Sequence, residues 1–224
     1  MTRGTPRTTT RVRTWDVPTR LAHWLMAAAI ATSWWTAEIN RLDYHRYSGY
    51  LLLGLLIFRV YWGLVGSSTA RFNQFIKGPR AIVSYLRGNV VHVGHNPLGA
   101  LSVVALLLLL ALQITLGLFA VDVDGLESGP LSHLVSFEAG RACAQWHDTV
   151  FDVFLWMIGL HVAAVLFHVI YKKQNLIGAM FHGWREYPQP PESPVAFASA
   201  TRLIVGMVVA AALTWFIAQG LELY

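Results

Sequence analysis

Long apolar stretches separated by short polar segments dominate the pattern of this chain. A helix that crosses a bilayer needs about 20 mostly apolar residues, and backbone groups in lipid must be satisfied within the segment. We therefore predict an all-α membrane protein with five transmembrane helices, over residues 21–37, 48–66, 98–120, 149–171 and 196–219.

Composition narrows the class further. Of the 224 residues, 55% are hydrophobic and 13% are charged, about half the charged share of a soluble domain. Cys143 is the only cysteine, which excludes a disulfide scaffold, a thiolate-held iron–sulfur cluster and a covalent CxxCH haem site. Glycine-rich nucleotide motifs and HExxH are also absent from the sequence.

Charge is distributed unevenly between the connecting segments. Residues 1–20 hold five arginines and one acid, and the segment 67–97 holds four basic residues and no acid. Residues 121–146 hold four acids and one arginine. The positive-inside rule thus predicts a multi-pass protein of the bacterial inner membrane with a cytoplasmic N-terminus. The net charge of +5 is explained by contact with the lipid bilayer, so no nucleic acid is needed as a partner.

These patterns divide the chain into four parts. We predict a cytoplasmic segment over 1–20, a four-helix bundle over 21–180, a proline-rich linker over 181–195 and a fifth helix over 196–224. The fifth helix contains Gly206 and the run 210–212 of alanines, which permit close helix contact. It could dock a partner or a second copy to form a homodimer, or it could simply face lipid.

Four of the nine histidines fall at two matching depths of the predicted bundle. His147 and His161 are fourteen residues apart, so they share one helix face about 21 Å apart. His45 begins the second span at the depth of His147, and His23 begins the first span at the depth of His161. Ionisable residues inside spans are costly and indicate function.

Two facing imidazoles can fill both axial positions of a b-type haem iron. We therefore predict two haems b, held by the pairs His45–His147 and His23–His161. Taken alone, a histidine at the end of a span more often lies in the membrane interface. A zinc site is less favoured, because neither carboxylates nor cysteine converge with these histidines at the spacing of a tetrahedral site.

Three further residues are predicted to contact these haems. Gly49, one helical turn from His45, leaves room for a flat macrocycle. Arg59 could pair with a haem propionate, or its side chain could reach to the cytoplasmic headgroups. His168 lies seven residues, or about 10.5 Å, beyond His161, which is too close for a second haem level, so we interpret it as a propionate or neighbouring contact.

The residues that carry this pattern resemble the bacterial cytochrome b561 family, which includes hydrogenase-type cytochrome b subunits. The likeness covers about residues 15–179. It rests on DVPTRLAHW at 16–24, on His45 with Gly49 and Arg59, on GHNPLG at 94–99, and on the segment from WHD at 146–148 through GLH at 159–161 to His168 and Asn175-Leu176.

The resemblance implies a dihaem four-helix bundle whose ligands fall on His23, His45, His147 and His161. It also implies electron transfer between the quinone pool and a redox partner such as a c-type cytochrome, a hydrogenase or another periplasmic oxidoreductase. Some members act on superoxide, so a stand-alone superoxide:quinone oxidoreductase is an alternative. A non-redox transporter or anchor is the other alternative, and haem absorption would decide against it.

Overall fold

The computed structural model describes residues 9–87, 94–123, 127–188 and 194–221. Helices dominate this part of the chain, and the only sheet within it has two strands. In chain order the elements are β1 (Thr10–Arg13), α1 (Val17–Glu38), α2 (Leu42–Val65), α3 (Phe72–Phe75), α4 (Pro79–Leu86), α5 (Pro97–Phe119), α6 (Phe137–Ile170), α7 (Leu176–His182), β2 (Trp184–Tyr187) and α8 (Ala200–Ala218).

Four of the five predicted spans are confirmed as helices long and apolar enough to cross a membrane, namely α2, α5, α6 and α8. The first predicted span is the 22-residue helix α1, which is long enough but falls below the same level of hydropathy. Alanine, threonine, serine and tryptophan fill much of α1, where α5 carries leucine and valine. The architecture is that of an all-α membrane bundle.

Helix starts follow local capping chemistry. The side chains of Asp16, Asn96, Ser136 and Ser199 each accept a hydrogen bond from a backbone N–H in the first turn of the helix that follows. The Asp16 carboxylate also accepts a 2.9 Å bond from Trp62 Nε1, which ties the start of α1 to α2. Asp16 is buried, so its two acceptor oxygens satisfy donors that would otherwise lack partners.

The bundle is made of two helical hairpins. Helix α1 packs on α2 and α5 packs on α6, while the hairpins meet mainly through α2 and α5. The shared core between them consists of Ala29, Leu52, Leu56, Leu110 and Phe154. Beyond this core the hairpins diverge, and the space between them contains the candidate site.

The fifth helix, α8, packs against α2 on the side away from α5. Close approach depends on glycine: a β-carbon at Gly206 would lie 2.6 Å from the ring of Tyr61. Arg202 donates to the carbonyl of Val65 over 3.1 Å. One face of α8 is therefore occupied within this chain, while Ile204, Val208 and Trp215 remain exposed.

Strands β1 and β2 pair antiparallel, from Thr10 opposite Tyr187 to Arg13 opposite Trp184. We call this end of the bundle the sheet end, and the opposite end, where α1 leads into α2, the His147 end. Neither strand is predicted from the sequence, and β2 lies in the segment 181–195 predicted to be a linker. Four residues are too few to show a strand periodicity, and the strands meet only because the bundle brings their flanks together.

Helix α6 begins at Phe137, twelve residues before the apolar stretch predicted from hydropathy. Its 34 residues span about 50 Å, whereas the hydrocarbon core of a bilayer is about 30 Å thick. The additional turns at the His147 end therefore extend beyond the hydrocarbon, which is why an apolar window does not detect them.

Candidate functional site

His45 from α2 and His147 from α6 face each other across the gap between the hairpins. Their ring centres are 6.0 Å apart and their planes are inclined by 82°. The Nδ1 atom of His45 lies 2.9 Å from the carbonyl oxygen of Ser33, and that of His147 lies 2.9 Å from the carbonyl oxygen of Gln113. A backbone carbonyl accepts from a protonated Nδ1, so each ring keeps an unprotonated Nε2 as a lone-pair donor.

This spacing suits a metal held between the two rings. With a metal–nitrogen bond of about 2 Å, each ring centre lies about 3 Å from the metal, and two opposed rings lie about 6 Å apart. Metal-bound histidines generally donate their other N–H to a carbonyl or carboxylate, as both rings do here. The donor set and the separation therefore fit a bis-histidine haem.

A cavity of about 350 Å³ surrounds these two rings. Its walls come from α1, α2, α5, α6 and the connection between α5 and α6, and they are mostly apolar. Gly49 forms part of the wall, and a β-carbon built there would meet nothing within 4 Å. The space above Gly49 is thus open, as a flat macrocycle beside His45 would require.

Gly117 of α5 makes the position of His147 possible. A β-carbon at Gly117 would lie 2.9 Å from Cε1 and 3.1 Å from Nδ1 of the imidazole. Contacts this short force a shift of the ring. One turn earlier on the same helix, the Gln113 carbonyl holds Nδ1, so α5 fixes both the position and the rotation of the ring.

Replacing Gly117 by alanine is expected to weaken haem retention at the His45–His147 site by roughly ten-fold or more, since overpacking costs about 1–3 kcal/mol. The measurement is the rate at which haem leaves the purified protein for excess apomyoglobin. Thr115→Ala, an exposed position of the same helix, is the control and should behave as wild type. Equal loss rates for the two variants would contradict the role of Gly117.

At the sheet end, three imidazoles converge. His23 of α1 and His161 of α6 are close enough to interact electrostatically, and both also act on His95, which precedes α5. The Nδ1 atom of His23 is buried without a hydrogen-bond partner, and His161 Nδ1 lies 3.4 Å from Ser102 Oγ. An orphaned imidazole nitrogen facing a second imidazole fits a site for a group absent from the polypeptide.

His95 differs from the other two because it packs between aromatic rings. Its ring centre is 4.6 Å from that of Trp15 and 4.7 Å from that of Phe75. Burial, with a smaller contribution from the charge of Arg59, lowers the pKa of His95 to about 3. His95 is therefore neutral at physiological pH and adds no positive charge to this site.

Arg59 is buried at the sheet end with a relative exposure of 5%. Its Nη1 donates to the Ala70 carbonyl over 3.4 Å, and its guanidinium lies 5.0 Å from the ring centre of Phe72. Within the described residues no carboxylate forms an ion pair with it. The side chain is enclosed by the protein, so the alternative in which it reaches the headgroups does not fit this conformation.

His168 has a separate set of partners. Its Nδ1 lies 2.9 Å from the Ala164 carbonyl, and its Nε2 lies 3.2 Å from Tyr85 Oη and 3.5 Å from Asn96 Nδ2. Both nitrogens are thus engaged, whereas the Nε2 atoms of His45 and His147 have no such partner in the described part of the chain. This arrangement suits a polar contact better than a haem ligand.

Several of these residues were not singled out from the sequence. Ser33, Gln113 and Ser102 act through a backbone carbonyl or a single hydroxyl, for which there is no sequence signal. Gly117 is a glycine near the end of its span, at the same depth in the bundle as His147, and this position is the one sequence signal that could have identified it. No group of three or more His, Cys, Asp or Glu side chains forms a metal cluster within the ranges described, and a bis-histidine haem requires only two.

Comparisons with known proteins assign the chain to a family. A family model described as prokaryotic cytochrome b561 matches residues 14–183. A "Probable Ni/Fe-hydrogenase B-type cytochrome subunit" of Azotobacter chroococcum mcd 1 is 25% identical over 218 residues, covering 81% of this chain and 91% of the relative. The protein of the same name from Azotobacter vinelandii is 23% identical with the same coverage.

No solved structure gives a significant match to the chain. The family model covers about three quarters of the sequence, including both histidine pairs, and α8 lies beyond it. Membership of this family implies haem b and electron transfer within a membrane. The chain belongs to the prokaryotic cytochrome b561 family of multi-pass membrane b-type cytochromes.

Proposed function

We propose that this chain is a dihaem cytochrome b that transfers electrons between the quinone pool and a redox partner protein across the bacterial inner membrane. The observation that carries the proposal is the His45–His147 pair, whose rings are 6.0 Å apart and come from different hairpins. The second pair, His23 and His161, lies at the opposite end of the same gap. Two sites at two depths form a path for electrons through the bundle.

A haem b held between two imidazoles would supply one-electron redox chemistry. The chain contributes the four ligands and holds their orientation. Ser33 and Gln113 carbonyls fix His45 and His147, and the apolar cavity walls exclude water. Arg59, a buried cation that forms no direct ion pair with a carboxylate among the described residues, is the group we assign to a propionate at the His23–His161 site.

The orientation follows from charge. The described parts of the two basic segments, residues 9–20 and 67–87, lie toward the sheet end, so we assign the sheet end to the cytoplasm. The His147 end then faces the periplasm. On this assignment the long N-terminal part of α6 and the connection between α5 and α6 are the surfaces that a periplasmic partner would contact.

Quinone and partner protein are assigned by different arguments. A quinol releases two electrons and two protons, so a carrier that takes one electron at a time into each of two haems suits it. The curated relatives are named as hydrogenase cytochrome subunits, which favours a hydrogenase or another periplasmic oxidoreductase as the partner. A c-type cytochrome remains the second kind of partner in this proposal.

Proton handling at the His147 end has candidate groups. Glu38 and Asp148 both line the cavity mouth, and Glu38 accepts a hydrogen bond from Trp34 Nε1. Asp152, one turn beyond Asp148, is exposed. Acids in these positions would exchange protons with water directly.

The superoxide alternative depends on the positive charges of Arg41 and Arg46 beside His45. Arg41 forms no ion pair in the part of the chain that the structure describes. Arg46 is instead bound to two carboxylates, at 3.1 Å to Asp43 and 2.8 Å to Glu127. Local neutralisation weakens the attraction of a small anion. The relay between quinone and a partner protein is therefore the function we favour.

The test is haem quantitation and reduction by quinol with the purified chain in nanodiscs. We expect about two haems b per chain by pyridine haemochrome and two steps in a redox titration. We also expect a quinol to reduce both haems without added protein. A colourless protein would exclude redox function, a single haem would exclude the two-site path, and haems that quinol leaves oxidised would exclude the quinone link.

A further inference from the structure

The mouth of the cavity at the His147 end is crossed by one ion pair. Arg46, in the first turns of α2, donates from Nη2 to Oε2 of Glu127 over 2.8 Å. Glu127 belongs to the connection between α5 and α6, and both side chains line the cavity. The pair therefore joins the two hairpins at the point where they diverge around His45 and His147.

Arg46 has a second carboxylate partner, Asp43, which does not belong to the α5–α6 connection. Asp43 is 3.1 Å away, but it lies in the same helix as Arg46, three residues earlier. The Asp43 side chain is 75% exposed and is not part of the cavity wall, whereas that of Glu127 is 36% exposed. Both carboxylates neutralise Arg46, yet only Glu127 bridges the hairpins.

Arg46 is also the only arginine or lysine in the cavity wall that the described residues form. The other charged groups there, Glu38, Glu127 and Asp148, are acidic. A charge at the mouth of an apolar cavity is screened less than one on an open surface. The charge state of Arg46 and its partner thus acts on whatever lies between His45 and His147.

We propose that Arg46 and Glu127 form a strap across the mouth of the haem cavity at the His147 end, and that they are positioning residues for the haem there. The strap holds the α5–α6 connection against α2, which slows escape of the haem. Its two opposite charges also set the potential of that haem. This inference rests on the dihaem function proposed above.

The two roles of the strap can be separated with two variants, which should shift the haem potential in opposite directions but speed haem release in both cases. Glu127→Gln removes a negative charge and leaves Arg46 less compensated, which stabilises the reduced haem and raises its potential. Arg46→Gln removes a positive charge and lowers that potential. Either variant breaks the bridge, so both should release haem about two- to five-fold faster, the factor that corresponds to one partly exposed ion pair.

Asp43→Asn is the matched control, because it removes a carboxylate from the same arginine without cutting the bridge. The measurements are redox titration and the rate of haem transfer to apomyoglobin, with the haem in question identified by its absence from His147→Ala. Wild type and all three variants are compared in the same nanodiscs. For Asp43→Asn we expect a wild-type rate of haem release.

The expected pattern is faster release in both strap variants with opposite shifts in the potential of the same haem. The strap is overturned if Glu127→Gln releases haem no faster than Asp43→Asn, or if both variants shift the potential in the same direction. The strap is also overturned if the potential that shifts is that of the haem at the His23–His161 site. A wild-type protein with fewer than two haems would instead contradict the proposed function, which keeps the two failures distinct.

Discussion

Replacing His147 by alanine is expected to reduce the haem content from about two per chain to about one. Of the histidines that the structure describes, only His45 and His147 line the cavity at this end, and His45 alone could not hold a low-spin haem. The helices around the cavity would stay packed, because the shared core of the two hairpins, whose Leu52, Leu110 and Phe154 also line the cavity, is untouched. Pyridine haemochrome and redox titration measure the change.

His45→Ala should remove the same haem, because its ring is the other half of the pair. Both variants should therefore lose the same step of the redox titration and retain the other step unchanged. His133→Ala is the matched control, since this exposed histidine does not line the cavity and its Nδ1 lies 3.1 Å from the Pro130 carbonyl oxygen. If His45→Ala and His147→Ala lose different haems, the pairing proposed here is wrong.

Replacing His161 by alanine is expected to remove the other haem, while His168→Ala keeps both. The two histidines lie on the same face of α6, so sequence spacing distinguishes them only by depth. The structure adds that His168 already has hydrogen-bond partners on both ring nitrogens. His161 has only a 3.4 Å contact at Nδ1, and it interacts with His23 across the gap.

The pair of variants is compared by haem content and by absorption of the reduced protein. His23→Ala should match His161→Ala, because the two rings form one site. His168→Ala should change the rate of quinol oxidation or the potential of one haem at most. Loss of a haem in His168→Ala together with a normal haem content in His161→Ala would reverse the assignment of the ligand.

Much of the bundle could be predicted because two physical constraints act together. The length of apolar stretches is set by the bilayer, and the 3.6-residue turn of the helix places His147 and His161 on one face. Depth matching then requires only the direction of each span. This is why sequence spacing alone predicts the pairing of the four histidines, although their role as ligands stays a prediction.

What could not be predicted depends on contacts between distant segments. Every residue has a backbone carbonyl, so only the fold shows that those of Ser33 and Gln113 lie against imidazoles. The sequence does not distinguish the two alternatives for Arg59, because a side chain at this position of the helix can either reach the headgroups or be buried in the bundle. The first helix also shows a limit of hydropathy, since α1 forms a bundle helix while being less apolar than the other four long helices.

The two-stranded sheet imposes an order on biosynthesis. Thr10 pairs with Tyr187, which the ribosome adds 177 residues later, so β1 remains without its partner while every helix of the bundle is being made. Such a contact between distant parts of a chain forms slowly compared with helices. The sheet end of a nascent chain therefore stays open until translation has passed Tyr187, and a porphyrin arriving before that moment meets an unsealed bundle.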